Sequence, residues 1–395
     1  GWNEDVLIGG LYHNGNLSFH ENYGHGNFLQ LGGGEPASGY VNQGENRRVY
    51  SSDINGKIMP LNIGDPVQSV GFGIDPNERY WAVESTELEF DPRCYSIAYT
   101  GKDNQLWRTK DKGTTFELFA EFGSDADNRI TYIEPSWSNH DVMYICQQNV
   151  NPSSSGTLWK TEDAGQNWNE ISLPSVSNSR KMLVQVDPTD HQKVWIAFES
   201  AGSGERVYKS ENGGNNWTNI TDSGLGGNKP RSLNLIGGTD GGIYLATNKT
   251  IYYRNNSMND WVDFGDGLPV VTNTCISRPF YRDGKIRIAS YGKGIWESLF
   301  YEDQDVPVAQ IMVDKLETLQ HCEEDTFRYV DHSMLNHDNA TWQWTFQGGN
   351  PSTASTWNAN VVYENSGTFL TILTVTDSDG DSDTDSLYVT VEPYI

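Results

Sequence analysis

Lys160-Thr-Glu-Asp163-Ala-Gly165-Gln-Asn-Trp168 decides the fold because it recurs: Arg108-Thr-Lys-Asp111-Lys-Gly113-Thr-Thr-Phe116 precedes it and Lys209-Ser-Glu-Asn212-Gly-Gly214-Asn-Asn-Trp217 follows it. The spacing is roughly 50 residues, and periods of about 20–50 residues mark solenoids, propellers or arrays. The shared pattern is Ser/Thr-x-Asp-x-Gly-x-x-Trp, with Asn at position 212 and Phe at position 116. The Asp or Asn side chain can accept hydrogen bonds from nearby backbone, and the Gly can take a positive φ, so together they close a tight turn between two strands. The aromatic residue then supplies a large apolar wedge.

Working outward, the same kind of unit repeats along the first three hundred residues. Val6–Tyr12 reads as a strand followed by the hairpin signal His13-Asn-Gly-Asn. A second unit holds Arg48-Val-Tyr-Ser-Ser-Asp53-Ile-Asn-Gly-Lys, a degenerate version of the turn. The third unit is expected to open at Val70-Gly-Phe-Gly-Ile-Asp-Pro76, the fourth at Ile130, the fifth at Leu183, the sixth at Leu233 and the seventh at Ile276. Seven units suit a closed ring of small sheets that leaves only short edges.

Composition agrees with an all-β chain: 40 Gly, 20 Tyr and 13 Trp, with no apolar stripe at helical spacing. The net charge of −26 argues against a nucleic-acid partner, which would need clustered Lys and Arg. No apolar run approaches the roughly 18 residues of a membrane span, so direct membrane insertion is not expected. The chain reads as a piece of a longer precursor, with other domains of that precursor among its partners. Four cysteines, Cys94, Cys146, Cys275 and Cys322, are too few for a disulfide scaffold and none forms a C-x-x-C pair. Cys94 and Cys146 each precede a matching tryptophan, Trp107 and Trp159, by 13 residues, which would place them alike on successive units, either bridged or as buried thiols.

The repeated cassette resembles the Asp-box of the sialidase-like, sortilin-like and xyloglucan-cleaving β-propeller families. That resemblance implies that Asp111, Gly113, Phe116, Asp163, Gly165, Trp168, Asn212, Gly214 and Trp217 are structural. In those families the box lies between the third and fourth strands of a blade, away from the binding face. After Phe300 the composition changes, and Tyr301-Glu-Asp-Gln-Asp-Val-Pro307 reads as a charged, Pro-ended linker. From Pro307 the chain resembles a PKD domain, an immunoglobulin-type β-sandwich. The residues that carry this are Trp342-Gln-Trp344-Thr-Phe346-Gln-Gly-Gly-Asn-Pro351, Val361-Val-Tyr363 with Gly367-Thr-Phe369, and Leu373-Thr-Val-Thr-Asp377. Gln-Gly-Gly stands where that family has Gly-Asp-Gly. The expected division is a propeller over 1–301, a linker over 302–306 and a PKD domain over 307–395. Proteins resembling this combination are often exported bacterial surface proteins, including type IX secretion cargo, which implies a secreted or cell-surface location and an adhesive role.

Candidate chemistry is sparse. Asp377, Asp379 and Asp381 lie in the densest acidic run and invite calcium, the one cofactor the sequence suggests, against a solvated hairpin turn. The run fails the EF-hand template, since its Gly comes too early and its closing Glu is missing. A sialidase would need three arginines, a Tyr nucleophile and acids on one face, for which Arg47 or Arg48, Arg278, Arg287 and Tyr291 are the available residues. A two-carboxylate glycosidase could draw on Asp75, Glu134, Asp187 and Asp240, although Asp-Pro and Glu-Pro also serve as turns. His13, His20 and His25 form the only local histidine cluster and read as loop residues. Tyr12, Tyr23, Trp81 and Trp137 could stack on sugar rings. The expectation is a binding module that recognises a glycan or protein ligand through the propeller face, with the PKD domain as a spacer and no catalytic residues. A glycoside hydrolase and a structural subunit of a surface assembly are the alternatives.

Overall fold

The computed structural model describes residues 2–11, 14–32, 39–51, 55–73, 88–124, 128–151, 153–269, 274–318 and 326–393. Asp53, Asp75, Tyr12, His13, Trp81, Cys322 and the side chain of Cys275 lie outside this set. The chain forms two compact units, Gly1–Glu121 with Ala309–Ile395, and Phe122–Val308.

The second unit is a series of antiparallel meanders in chain order. Asn128–Pro135, Met143–Asn149, Thr157–Thr161 and Asn169–Ile171 make one sheet. Met182–Val186, Val194–Phe198, Val207–Ser210 and Thr218–Asn219 make the next. Pro230–Ile236, Gly242–Thr247, Ile251–Arg254 and Val262–Asp263 make a third, and Thr274–Phe280, Lys285–Ser290 and Gly294–Leu299 a fourth with three strands. The first strand of each sheet lies against the first strand of the following one. Apolar residues fill the space between sheets: Tyr144 and Leu158 with Val184, Val194, Ile196 and Phe198, then Trp195 and Val207 with Leu233, Leu235, Leu245 and Trp261. Val-Trp-Ile-Ala-Phe at 194–198 is buried throughout because a second strand faces a neighbouring sheet on both sides.

The first unit opens with two further meanders. Val6–Leu11, Gly15–His20 and Leu29–Gly32 form the first, and Tyr40–Val41, Arg48–Ser51, Asn55–Ile58 and Gln68–Val70 the second. Val70 therefore ends the second sheet, pairing with Gly56, instead of opening the third. The third sheet starts with Glu89–Asp91 and continues through Cys94–Lys102, Gln105–Thr109 and Glu117–Glu121. An apolar run alone does not say which end of a meander it occupies.

That third sheet does not stop at its own edge. Cys94 pairs in parallel with Val313, whose N–H donates to the Arg93 carbonyl at 2.8 Å, so Ile311–Val313, Thr326–Asp331, Asn358–Tyr363 and Gly349–Asn350 extend the same sheet. A second sheet made from Glu317–Thr318, Ser382–Val391, Gly367–Thr376, Thr341–Phe346 and Thr353–Ala354 completes the sandwich. Trp344, Phe346, Phe327, Tyr329, Tyr363, Leu373 and Val389 fill its core.

The equal spacing of Cys94 and Cys146 is misleading. Trp107 and Trp159 do correspond, each third in the third strand of its sheet, but Cys146 pairs opposite Leu158 whereas the residue opposite Leu106 is Gly101. Only Asp103-Asn104 separates the strands in one hairpin, and 150–156 separates them in the other, so the same count ends at different heights. Both cysteines are buried thiols, and burial together with Asp91 pushes the Cys94 thiol up to about 12.

Candidate functional site

The three boxes repeat one hydrogen-bond pattern. The hydroxyls of Thr109, Thr161 and Ser210 donate to Asp111, Asp163 and Asn212 at 2.8, 2.8 and 3.0 Å, and each accepts from the box glycine N–H at 2.9 Å. The acid or amide oxygen also accepts from the N–H four residues on: Thr115 at 2.8 Å, Asn167 at 2.8 Å and Asn216 at 2.9 Å. Two consecutive left-handed residues make the turn: Lys112 and Gly113, Ala164 and Gly165, Gly213 and Gly214. Each box joins the third and fourth strands of its sheet, where the resemblance puts it. Asp111 and Asp163 are held below the usual carboxylate range by hydrogen bonds, at Asp111 against the opposing effect of partial burial. A carboxylate bonded in this way holds a turn.

The aromatic residues act between sheets. Phe116 packs edge-on against Phe72, which packs on Tyr50 of the second sheet. Trp168 meets Phe122 edge-on at 4.9 Å. The indole N–H of Trp217 donates to the Ser172 carbonyl at 2.9 Å, and Trp261, where the box is eroded, donates to the Ile220 carbonyl at 2.8 Å. Ser172 and Ile220 each directly follow the last strand of the preceding sheet, so the wedge survives where its turn motif is lost.

The sequence reading missed the partner of the box. Tyr50 donates to the Lys112 carbonyl at 3.0 Å and Tyr144 to the Gly213 carbonyl at 3.1 Å, so a tyrosine in the second strand of one sheet latches the box of the next. Burial raises both phenols well above their ordinary value. A polar end on an otherwise apolar strand was the available signal. A related clamp holds the 301–306 segment, read above as a linker. Tyr244 accepts from the Tyr301 N–H at 2.6 Å, Glu302 takes bonds from Tyr253 and Asn255 at 2.5 and 2.8 Å, and Gln304 donates to the Gly237 carbonyl at 2.6 Å. Gly238, at φ 78°, has to be glycine because a Cβ would collide with the Val306 carbonyl.

The residues considered for catalysis are spread over structural tasks. Glu134 accepts from the Gln185 side chain at 2.7 Å and from the Val186 N–H at 3.1 Å, tying two neighbouring first strands together. Ser232, Asn234 and Ser277 form the matching seam two sheets later, with Asn234 donating to Ser277 at 2.9 Å. Asp187 closes an Asx turn onto Thr189, and Asp240 accepts from Asn256 at 3.2 Å. Arg287 is buried between Asp283 and Glu297, at 3.2 and 2.9 Å, with its guanidinium over the Phe280 ring. Tyr291 lies beyond the end of that strand and is 70% exposed, so the two do not face a common site. Arg48 pairs with Glu45, and Arg47 donates to the Met59 carbonyl. Tyr23 is buried with its hydroxyl on the Pro60 carbonyl, and His20 is buried against Glu4, so neither is a surface residue. In the acidic run, one Asp377 oxygen accepts three N–H groups, from Asp379, Gly380 and Asp381, capping the hairpin between Gly367–Thr376 and Ser382–Val391. Among the described residues no three His, Cys, Asp or Glu side chains are grouped to hold a metal.

Boxes, wedges and latched meanders define the class: an Asp-box β-propeller followed by a PKD domain. Residues 104–228 match the family described as Sortilin, neurotensin receptor 3, and residues 305–391 match the PKD domain. A xyloglucanase of Hypocrea jecorina is 24% identical over 170 residues, which are 42% of this chain and 19% of that protein. Among solved structures, the extracellular domain assigned to a hybrid two component system of B. thetaiotaomicron aligns with a TM-score of 0.52 at 12% identity, over 98% of this chain and 54% of that one. A Niastella koreensis GH74 enzyme aligns with a TM-score of 0.51 at 13% identity, over 97% and 70%. The chain thus spans about half of the first of these structures, and its match covers about a fifth of the curated relative. No helix among the described residues is long and apolar enough to cross a membrane.

Proposed function

We propose that this chain is a non-enzymatic binding module of a secreted or cell-surface protein. Its propeller loops recognise a glycan, and its PKD domain mounts the propeller. The domains run over 1–301 and 307–395, with 302–306 between them. The observation that carries the reading is the fate of the acids: Glu134, Asp187 and Asp240 are each occupied by the protein's own donors. Bond cleavage between sugars needs two facing carboxylates with free oxygens, whereas binding needs neither. The glycan class is supported by the xyloglucanase match, and the extracellular setting by the neighbour from B. thetaiotaomicron.

The same match favours a second reading, a glycoside hydrolase that uses residues outside those described. Retention of the chain on a plant and bacterial polysaccharide panel, read together with release of reducing ends, separates the two. Binding without release supports the module. Release abolished by Asp75→Asn would establish the hydrolase and overturn the first reading.

A further inference from the structure

The chain carries 53 acidic residues against 27 lysines and arginines, so carboxylates are in surplus for every cation. Arg93, Arg108, Arg254 and Arg287 each take at least one. Arg180 and Arg206, at one end of the sheet that runs from Met182–Val186 to Thr218–Asn219, do not. Arg180 donates to the Asn149 and Val150 carbonyls at 2.9 and 3.4 Å, and the buried Arg206 to the Phe198 and Glu199 carbonyls at 3.4 and 2.5 Å. Both are thus held by main-chain oxygens, with no ion pair of their own among the described residues.

Glu199 ties this pair to two further cations. Its N–H donates to the Lys181 carbonyl at 3.1 Å, and its carboxylate meets Lys181 at 3.1 Å through one oxygen and Arg231 of the next sheet at 2.6 Å through the other. Glu205, the second acid beside Arg206, accepts from the Ser177 and Gly202 N–H groups at 2.8 and 3.3 Å and acts on Arg206 from beyond ion-pair distance. Four positive charges against two negative leave this group of residues with an excess of two. Burial opposes the charge on Arg206, and a buried cation without a counter-ion is costly. The Nε–H groups of Arg206 and Arg231 are also buried without an acceptor among the described residues. The cluster is short of negative charge and of acceptors in a chain that has both to spare.

Its place makes it reachable. Phe198 pairs with Met182 at this end of the sheet, while Ser210 of the box pairs with Val194 at the other. The side chains of Lys181 and Arg231 keep 41% and 30% of their surface exposed. The connections alongside, 172–181 and 199–206, expose Ser175, Ser177, Ser200 and Ser203. We propose, resting on the glycan reading above, that Lys181 and Arg231, reinforced by the charges of Arg180 and Arg206, bind the carboxylate of an acidic sugar, so that the ligand is a polyuronate. A guanidinium fork matches a planar carboxylate, and the serines suit sugar hydroxyls. The net charge of −26 does not forbid this, because exposed charges farther away than about 8 Å are screened at physiological salt.

The test measures binding of the full chain to polygalacturonate, xyloglucan and poly-glutamate at physiological salt, in EDTA so that calcium cannot bridge two acidic partners. Xyloglucan offers sugar without carboxylate and poly-glutamate carboxylate without sugar, so polygalacturonate should bind at least about tenfold more tightly than either, the size of a charge-assisted hydrogen bond. Lys181→Gln and Arg231→Gln should each weaken it about tenfold, while Lys193→Gln, at the box end of the same sheet, leaves it unchanged. Glu199→Gln should tighten it about threefold by removing the acid that competes for the cations, which loss of a merely structural contact would not do. Unfolding midpoints show that the variants are folded. Equal binding of poly-glutamate, or polygalacturonate binding untouched by both Lys181→Gln and Arg231→Gln, would overturn the proposal. Preference for xyloglucan would overturn it and leave the glycan module standing, whereas retention of neither polysaccharide would count against both.

Discussion

His332 is fully buried beside Trp2, with ring centroids 4.1 Å apart, and burial lowers its pKa to about 3 in spite of the neighbouring Asp331. Being neutral when folded, it takes up a proton on unfolding once the pH falls below the ordinary histidine value. The stability it preserves is complete above about pH 6.5 and is lost as the pH drops toward about 3, at up to about 1.4 kcal/mol per pH unit. Thermal unfolding followed from pH 7.5 to pH 4 should therefore show a steeper fall for the native chain than for His332→Leu. Equal slopes would mean that the imidazole is solvated. The boxes give a second test at this scale. Gly113→Ala forces a left-handed residue, at φ 87°, to carry a Cβ that would sit 2.7 Å from the Phe72 ring. Gly64→Ala, at φ 99° with open space around it, carries the conformational penalty alone. The expected costs are about 1 kcal/mol for Gly64→Ala and roughly 1–3 kcal/mol more for Gly113→Ala.

Among elements, the latch between sheets matters most. Tyr144→Phe keeps the ring in its apolar site and strips the bond from the Gly213 carbonyl, which should lower stability by about 1 kcal/mol in denaturant titration. No change would show that Lys160, which also donates to that carbonyl at 3.3 Å, is enough to satisfy it. The box cassette was legible because each of its positions follows from local backbone chemistry, which the sequence carries within nine residues. The latch was not legible, because Tyr144 and Gly213 are 69 residues apart and nothing in either neighbourhood announces the other. The same holds for 302–306. Its charge and proline suggest a linker between domains, and nothing in them shows that Glu302 and Gln304 bond to groups far earlier in the chain. Tyr23 and Arg287 misled in a similar way, since residue type alone does not reveal burial.

For the molecule, the continuous sheet from Glu117–Glu121 to Gly349–Asn350 changes the meaning of the PKD domain. A spacer would be joined by its ends, but here Val313 bonds to Arg93, Ser96 donates to the Asp314 carbonyl, and Asn3 donates to the Asp331 carbonyl at 2.6 Å. Tyr95 packs with Met312, Val330 and Trp357. Truncation after Gln304 should expose that apolar surface and make 2–121 sensitive to protease, while 128–300 stays resistant. Uniform resistance would restore the spacer. Fold class was readable because the meanders and the sandwich each have their own turn and strand signals. Ligand identity was not, because the strand and turn signals that carry the fold specify no ligand. The central claim is that Glu134, Asp187 and Asp240 hold the fold and do not cleave a glycosidic bond. Its most direct test is the release of reducing ends from xyloglucan incubated with the full chain, where the account predicts the rate of the buffer alone, and release that rises in proportion to protein concentration would contradict it.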